Sequence, residues 1–152
     1  MQAKRCDVLA VASGGGHWVQ LMRLRSALDG TDVAYASSRP AKPKEISDCR
    51  YFVIREANRD TPLQALVAML RVVEIVIRTR PRVIVTTGAA PGAFALLSGK
   101  LAGARTAWVD SIANVERVSL SGRLVRPFCD LWLTQWEHLA GPCGTEYRGR
   151  VI

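Results

Sequence analysis

Cys6-Asp7-Val8-Leu9-Ala10-Val11-Ala12-Ser13 runs into Gly14-Gly15-Gly16 and then His17-Trp18-Val19-Gln20-Leu21. An apolar run long enough for a buried strand stops at three glycines, and a helical pattern begins at once. Glycines let the backbone turn sharply and, with no Cβ, let a ligand approach the main chain. The free N–H groups of a helix start favour a phosphate or diphosphate above the loop. The stretch reads as a strand–turn–helix unit with a diphosphate cradle at Gly14, Gly15, Gly16 and His17.

Working outward, strand-like runs alternate with helical patterns to the end of the chain. Strands are expected at 7–12, 32–36, 51–54, 82–86, 106–109 and 131–134, and helices at 18–28, 63–78 and 92–102, with a shorter one at 121–127. Val83-Ile84-Val85 and similar β-branched runs call for burial on both faces, which parallel sheets provide. The expectation is α/β: a doubly wound, mostly parallel, Rossmann-like sheet forming a single domain over residues 1–152. Ligands of such sheets bind at the carboxyl ends of the strands.

Composition narrows the partners. Apolar residues make up 49% and charged residues 22%, with a net charge of +8 and a pI near 9.9. That is globular, and it predicts anionic partners. No RNA-binding, zinc-finger or basic-zipper pattern is present, so an anionic membrane surface and a diphosphate are expected rather than nucleic acid. Four scattered cysteines and two histidines contain no ligand spacing, so neither a metal nor a cofactor is expected, and reduced thiols suit a cytoplasmic setting. Asp7 interrupts any leader-like apolar start. Arg71 and Glu74 interrupt the most apolar helix, which is too short an uncharged run to span a bilayer.

The glycine loop is not a dinucleotide fingerprint: Val19 stands where the third glycine belongs, and Ala36-Ser37-Ser38 offer no acid for a ribose. Gly99-Lys100 is followed by Leu101, so no Walker A loop exists. His17 can contact phosphate or accept a proton as a general base, and both roles stay open. A second loop, Thr87-Gly88-Ala89-Ala90-Pro91-Gly92, repeats the strand–turn–helix character, with Pro91 suited to a first helical turn. Two such loops at one sheet edge suggest a shared crevice, with Thr87, Gly88, Pro91 and Gly92 as binding candidates. Asp110 and Ser111 end the fifth strand, and Ser121, Gly122 and Arg123 follow as a helix cap and an anion contact. Gln135-Trp136, beside a turn-rich tail, reads as an exposed interface anchor for a partner. No Gly-x-Ser-x-Gly elbow supports a hydrolase.

Together, Ser13 to His17, Thr87-Gly88 with Pro91-Gly92, Ser119-Leu120-Ser121-Gly122-Arg123-Leu124 and Asp130 through Gln135-Trp136-Glu137 resemble the PssD-type family of polysaccharide-biosynthesis proteins. That family is similar to the acceptor-binding, membrane-recruiting subunit of the split transferase that adds the second N-acetylglucosamine to dolichol diphosphate. The resemblance implies the N-terminal half of a GT-B glycosyltransferase, binding a polyprenyl-diphosphate-linked acceptor on the inner face of the cell membrane. A separate donor-binding subunit would supply the UDP-sugar site, and His17 the catalytic group. Asn114 stands where the family often has arginine, with Arg117 a shifted substitute. Two other readings remain open: a recruitment subunit for a complete transferase, and a stand-alone nucleotide-binding regulatory domain.

Overall fold

The computed structural model describes residues 4–56, 61–141 and 144–151. Pro142 and Cys143, part of the turn-rich tail, lie outside the described residues. Seven parallel strands, β1 (Val8–Ala12), β2 (Val33–Ser37), β3 (Arg50–Val53), β4 (Val83–Thr86), β5 (Arg105–Val109), β6 (Leu131–Thr134) and β7 (Glu146–Tyr147), form one sheet in the order β3-β2-β1-β4-β5-β6-β7. The helices are α1 (Gly16–Arg23), α2 (Pro62–Thr79), α3 (Ala89–Leu101) and α4 (Leu120–Val125).

Alternation along β1 shows why the sheet is wound on both sides. Val8, Ala10 and Ala12 pack with Trp18 and Leu21 of α1 and with Tyr35. Leu9 and Val11 point the other way, into a cluster with Val72, Ile75 and Val76 of α2 and Ala95 of α3. A third cluster joins Trp108 and Trp132 of β5 and β6 to Leu96 and Val125 of α3 and α4. Strands buried on both faces explain the uninterrupted apolar runs. Burial also pushes the Cys129 thiol, which touches this third cluster, up to about 11, so it remains protonated.

The expected strands and helices are present, with four differences. The first helix ends at Arg23 because the Leu24 N–H is shared between the carbonyls of Gln20 and Leu21, tightening the chain into a 3₁₀ turn over Arg25–Leu28. α3 begins at Ala89 rather than at 92. Ser119, not Ser121, caps α4: its Oγ accepts from the Gly122 N–H at 3.0 Å. β7 went unforeseen, since two paired residues inside a glycine-rich segment leave no periodicity to read.

Gly92 lies on the face of α3 turned to β4, where an added Cβ would stand 2.0 Å from Thr86 Oγ1 and 3.1 Å from Thr86 Cβ. The close approach of helix to strand therefore requires glycine here. Gly92→Ala is expected to lower the free energy of unfolding by about 1–3 kcal/mol through overpacking, read as an earlier midpoint in urea with an unchanged slope.

Candidate active-site cleft

The chain leaves β1 toward β2 and later returns on the other side to form β4, so the loops after β1 and β4 part at the carboxyl edge. Doubly wound sheets bind ligands at such a reversal. Here it opens into a cleft of about 340 Å³ lined by His17 from α1, Gly88 and Ala89 from the β4–α3 turn, and Asp110, Asn114 and Ser119 from the loop after β5. Ser111 and Ser121 also face it.

Two reciprocal hydrogen bonds hold the first two loops together. His17 Nδ1 lies 2.8 Å from the Thr87 carbonyl, and the Thr87 hydroxyl donates to the His17 carbonyl at 2.8 Å. The glycine loop is itself anchored by the Gly14 N–H, which donates to Ser38 Oγ at 2.8 Å. Gly15 and Gly16 are exposed at the rim, and the first helical bond runs from Val19 N–H back to the Gly15 carbonyl. The amides at the start of α1 are thus outside the helical ladder, the condition under which a helix start favours an anion.

Asp110 fixes the third loop. Its buried carboxylate accepts from Trp108 Nε1 at 3.3 Å, Asn114 Nδ2 at 3.2 Å and the Ser119 N–H at 2.8 Å. Its carbonyl accepts from two glutamine amides, Gln20 at 3.1 Å and Gln135 at 3.3 Å. Gln20 Oε1 in turn accepts from the Ile112 N–H. One residue therefore ties α1, the 110–119 loop and the end of β6 into one frame.

The candidates named from sequence separate into three groups. His17, Gly88, Asp110, Ser111 and Ser121 line the cleft, Gly15 and Gly16 are exposed immediately before His17, and Gly14 is half-buried with its N–H on Ser38. Thr87, Pro91, Gly92 and Gly122 are corrected: all four are buried, Thr87 holding His17 through its two hydrogen bonds and the two glycines letting elements pack closely. At Gly122 a Cβ would stand 2.8 Å from both Ser119 Oγ and Trp108 Nε1. Arg123 is exposed and outside the cleft, and Arg117 is exposed as well. Asn114, read as a lost phosphate contact, is instead a strut for Asp110.

Gln135 is also corrected as a partner contact, being 1% exposed, with its amide on Asp110 and its Oε1 accepting from the Val151 N–H at 2.7 Å. Trp136 is half-buried rather than free. Its Nε1 donates to the Ile112 carbonyl at 2.9 Å, and the Arg150 guanidinium sits 4.4 Å above its ring. Gln20, Ser119 and Ala89 were missed. The only trace that Gln20 left in the sequence was a polar residue on the inward stripe of an amphipathic helix.

The lining is therefore mostly neutral: three serines, an amide and an imidazole, above a carboxylate already satisfied from inside. Such a surface hydrogen-bonds hydroxyl groups better than it neutralises an anion. Ala89, at φ 64, holds a left-handed backbone without being glycine, whereas Gly15 has φ 65 and open space around it. Ala89→Gly is expected to be neutral or to stabilise by up to about 1 kcal/mol, and Gly15→Ala to cost about 1 kcal/mol, both measured by thermal unfolding.

A family model described as "Oligosaccharide biosynthesis protein Alg14 like" matches residues 26–151. The glycine loop lies before that span. Similar curated proteins are UDP-N-acetylglucosamine transferase subunits ALG14. That of Yarrowia lipolytica is 39% identical over 87 residues, 53% of this chain and 40% of that protein. Those of Candida albicans and Schizosaccharomyces pombe are 26% and 27% identical over 98% and 88% of this chain, and 80% and 77% of theirs. Among solved structures, MurG of Acinetobacter baumannii superposes with a TM-score of 0.72 at 10% identity, over 95% of this chain and 45% of that one. UDP-GlcNAc 2-epimerase of Methanocaldococcus jannaschii gives 0.60 at 11%, over 84% and 39%. Both neighbours are of the GT-B type, and likeness at this identity speaks for the fold alone.

Proposed function

The chain belongs to the Alg14-like family of oligosaccharide-biosynthesis proteins, and on that footing we propose that it is the acceptor-binding part of a two-component, UDP-sugar-dependent glycosyltransferase. A polyprenyl-diphosphate-linked sugar enters with its diphosphate on the amides of Gly15 and Gly16 and its sugar hydroxyls among Ser111, Asn114, Ser119 and Ser121. A separate subunit supplies the donor site, and the sugar is transferred in the space between the two. The observation that carries this reading is the pairing of an amide-rich rim with a neutral, hydroxyl-binding cleft at one sheet edge. It is supported by relatives named as transferase subunits.

Attachment to the membrane is peripheral in this reading. Leu63, Leu66, Val67, Leu70 and Ile77 stand exposed along α2, and Leu120, Leu124 and Phe128 along and just beyond α4. Both helices cover the same side of the sheet, because both pack in clusters shared with α3. Among the described residues no helix is long and apolar enough to cross a bilayer. Apolar side chains at the lipid boundary, with the net positive charge of +8 drawn to anionic headgroups, suffice for binding to the cytoplasmic leaflet. Trp136, partly exposed beneath Arg150, belongs to the face turned to the donor-binding subunit.

The deciding experiment is reconstitution on anionic vesicles carrying a short-chain prenyl-diphosphate-linked sugar, with a radiolabelled UDP-sugar as donor. The chain alone is expected to transfer nothing, and the chain mixed with its donor-binding partner to transfer label. His17→Ala in that mixture is expected to slow transfer by about 10²–10⁴-fold. A partner that works at full rate without this chain would overturn the proposal and favour a recruitment role.

A further inference from the structure

His17 contains more chemical information than its position. A carbonyl oxygen has no hydrogen to give, so at 2.8 Å from the Thr87 carbonyl it is Nδ1 that bears the proton and donates. In a neutral ring the lone pair then sits on Nε2. No described residue hydrogen-bonds Nε2, and the ring lines the cleft. The chain's other histidine is set the opposite way: His138 Nε2 lies 2.7 Å from the Val115 carbonyl, so there Nε2 carries the hydrogen.

Two features impose the His17 arrangement. The Thr87 hydroxyl bond to the His17 carbonyl fixes the two backbones against each other. Gly88, at φ +117, has no Cβ; one placed there would stand 3.1 Å from His17 Cε1 and 3.3 Å from Nδ1. Those distances are closer than ordinary van der Waals contact, so any side chain at 88 would press the ring away from the Thr87 carbonyl.

We propose that Thr87 and Gly88 are positioning residues that preset His17 as the acceptor of a hydroxyl proton in the cleft, an assignment that rests on the transferase reading above. The step balances as follows. The O–H bond of the acceptor sugar hydroxyl breaks, and its proton goes to the Nε2 lone pair. The oxygen electron pair forms the bond to the anomeric carbon of a nucleoside-diphosphate sugar, and the pair of the broken C–O bond leaves with the nucleoside diphosphate. The imidazolium so formed keeps its Nδ1–H on the Thr87 carbonyl, where the hydrogen bond strengthens as charge develops. Transfer of the proton to the wrong nitrogen is excluded because Nδ1 is already occupied.

Two-bond ¹H–¹⁵N correlation spectra of the isolated chain, in mildly alkaline buffer with neutral imidazoles, test this directly. His17 is expected to show a pyridine-type Nε2 and a pyrrole-type Nδ1, with His138 as the reversed internal reference. Thr87→Ser is expected to keep the His17 pattern and Gly88→Ala to lose it. If His17 matches His138, the proposal is overturned; the wild-type spectrum decides this even if Gly88→Ala does not fold. In the assembled enzyme, Gly88→Ala is expected to lower kcat about a hundredfold with little change in the acceptor KM, and an unchanged kcat would overturn the positioning role. Absence of transfer by the assembled wild-type pair would instead overturn the transferase reading, to which the spectrum is indifferent.

Discussion

The pair of hydrogen bonds between residues 17 and 87 closes the sheet where its winding reverses. Parallel strands force every return crossover to bring the chain back to the same edge, so their outgoing loops gather at one rim. Loops alone would leave that rim open and wet. The clasp converts two of them into one wall, and it does so through a side chain that keeps a second nitrogen available. Glycine at 88 is the steric condition for this contact, and its own N–H donates to Thr86 Oγ1 at 3.1 Å.

Asp110 plays the complementary part. A buried carboxylate is costly unless donors surround it, and here an indole, an amide and a backbone N–H meet that need from within the protein. Its charge therefore organises the loop rather than serving the ligand. This divides the edge by polarity, with uncharged hydrogen-bonding groups in the cleft and unpaired amides at the glycine rim. A sugar joined to a diphosphate has the same division, and this is the ligand class proposed for the edge.

The strands and the crowding of loops at one edge were legible from β-branched runs such as 83–85 and from glycines placed after them. Which polar groups face outward was not. Asp110, Gln20 and Gln135 are residue types that favour solvent, and their burial depends on partners up to 92 positions away in sequence, as in the bond between Gln20 and Ile112. The glycines at 92 and 122 read as ligand contacts because absence of a Cβ serves close packing and close binding equally. Only the neighbours at 2–3 Å separate the two. Ser119 was missed as the cap of α4 because Ser121, two residues on, offered the same chemistry.

The account is tested most directly by titrating the isotopically labelled chain with a short-chain prenyl-diphosphate N-acetylglucosamine and following its amide signals. Saturable shifts centred on Gly15, Gly16, His17, Gly88 and Ala89 are the predicted result. Unmoved signals at those five residues, with binding registered elsewhere on the surface or nowhere, would contradict it.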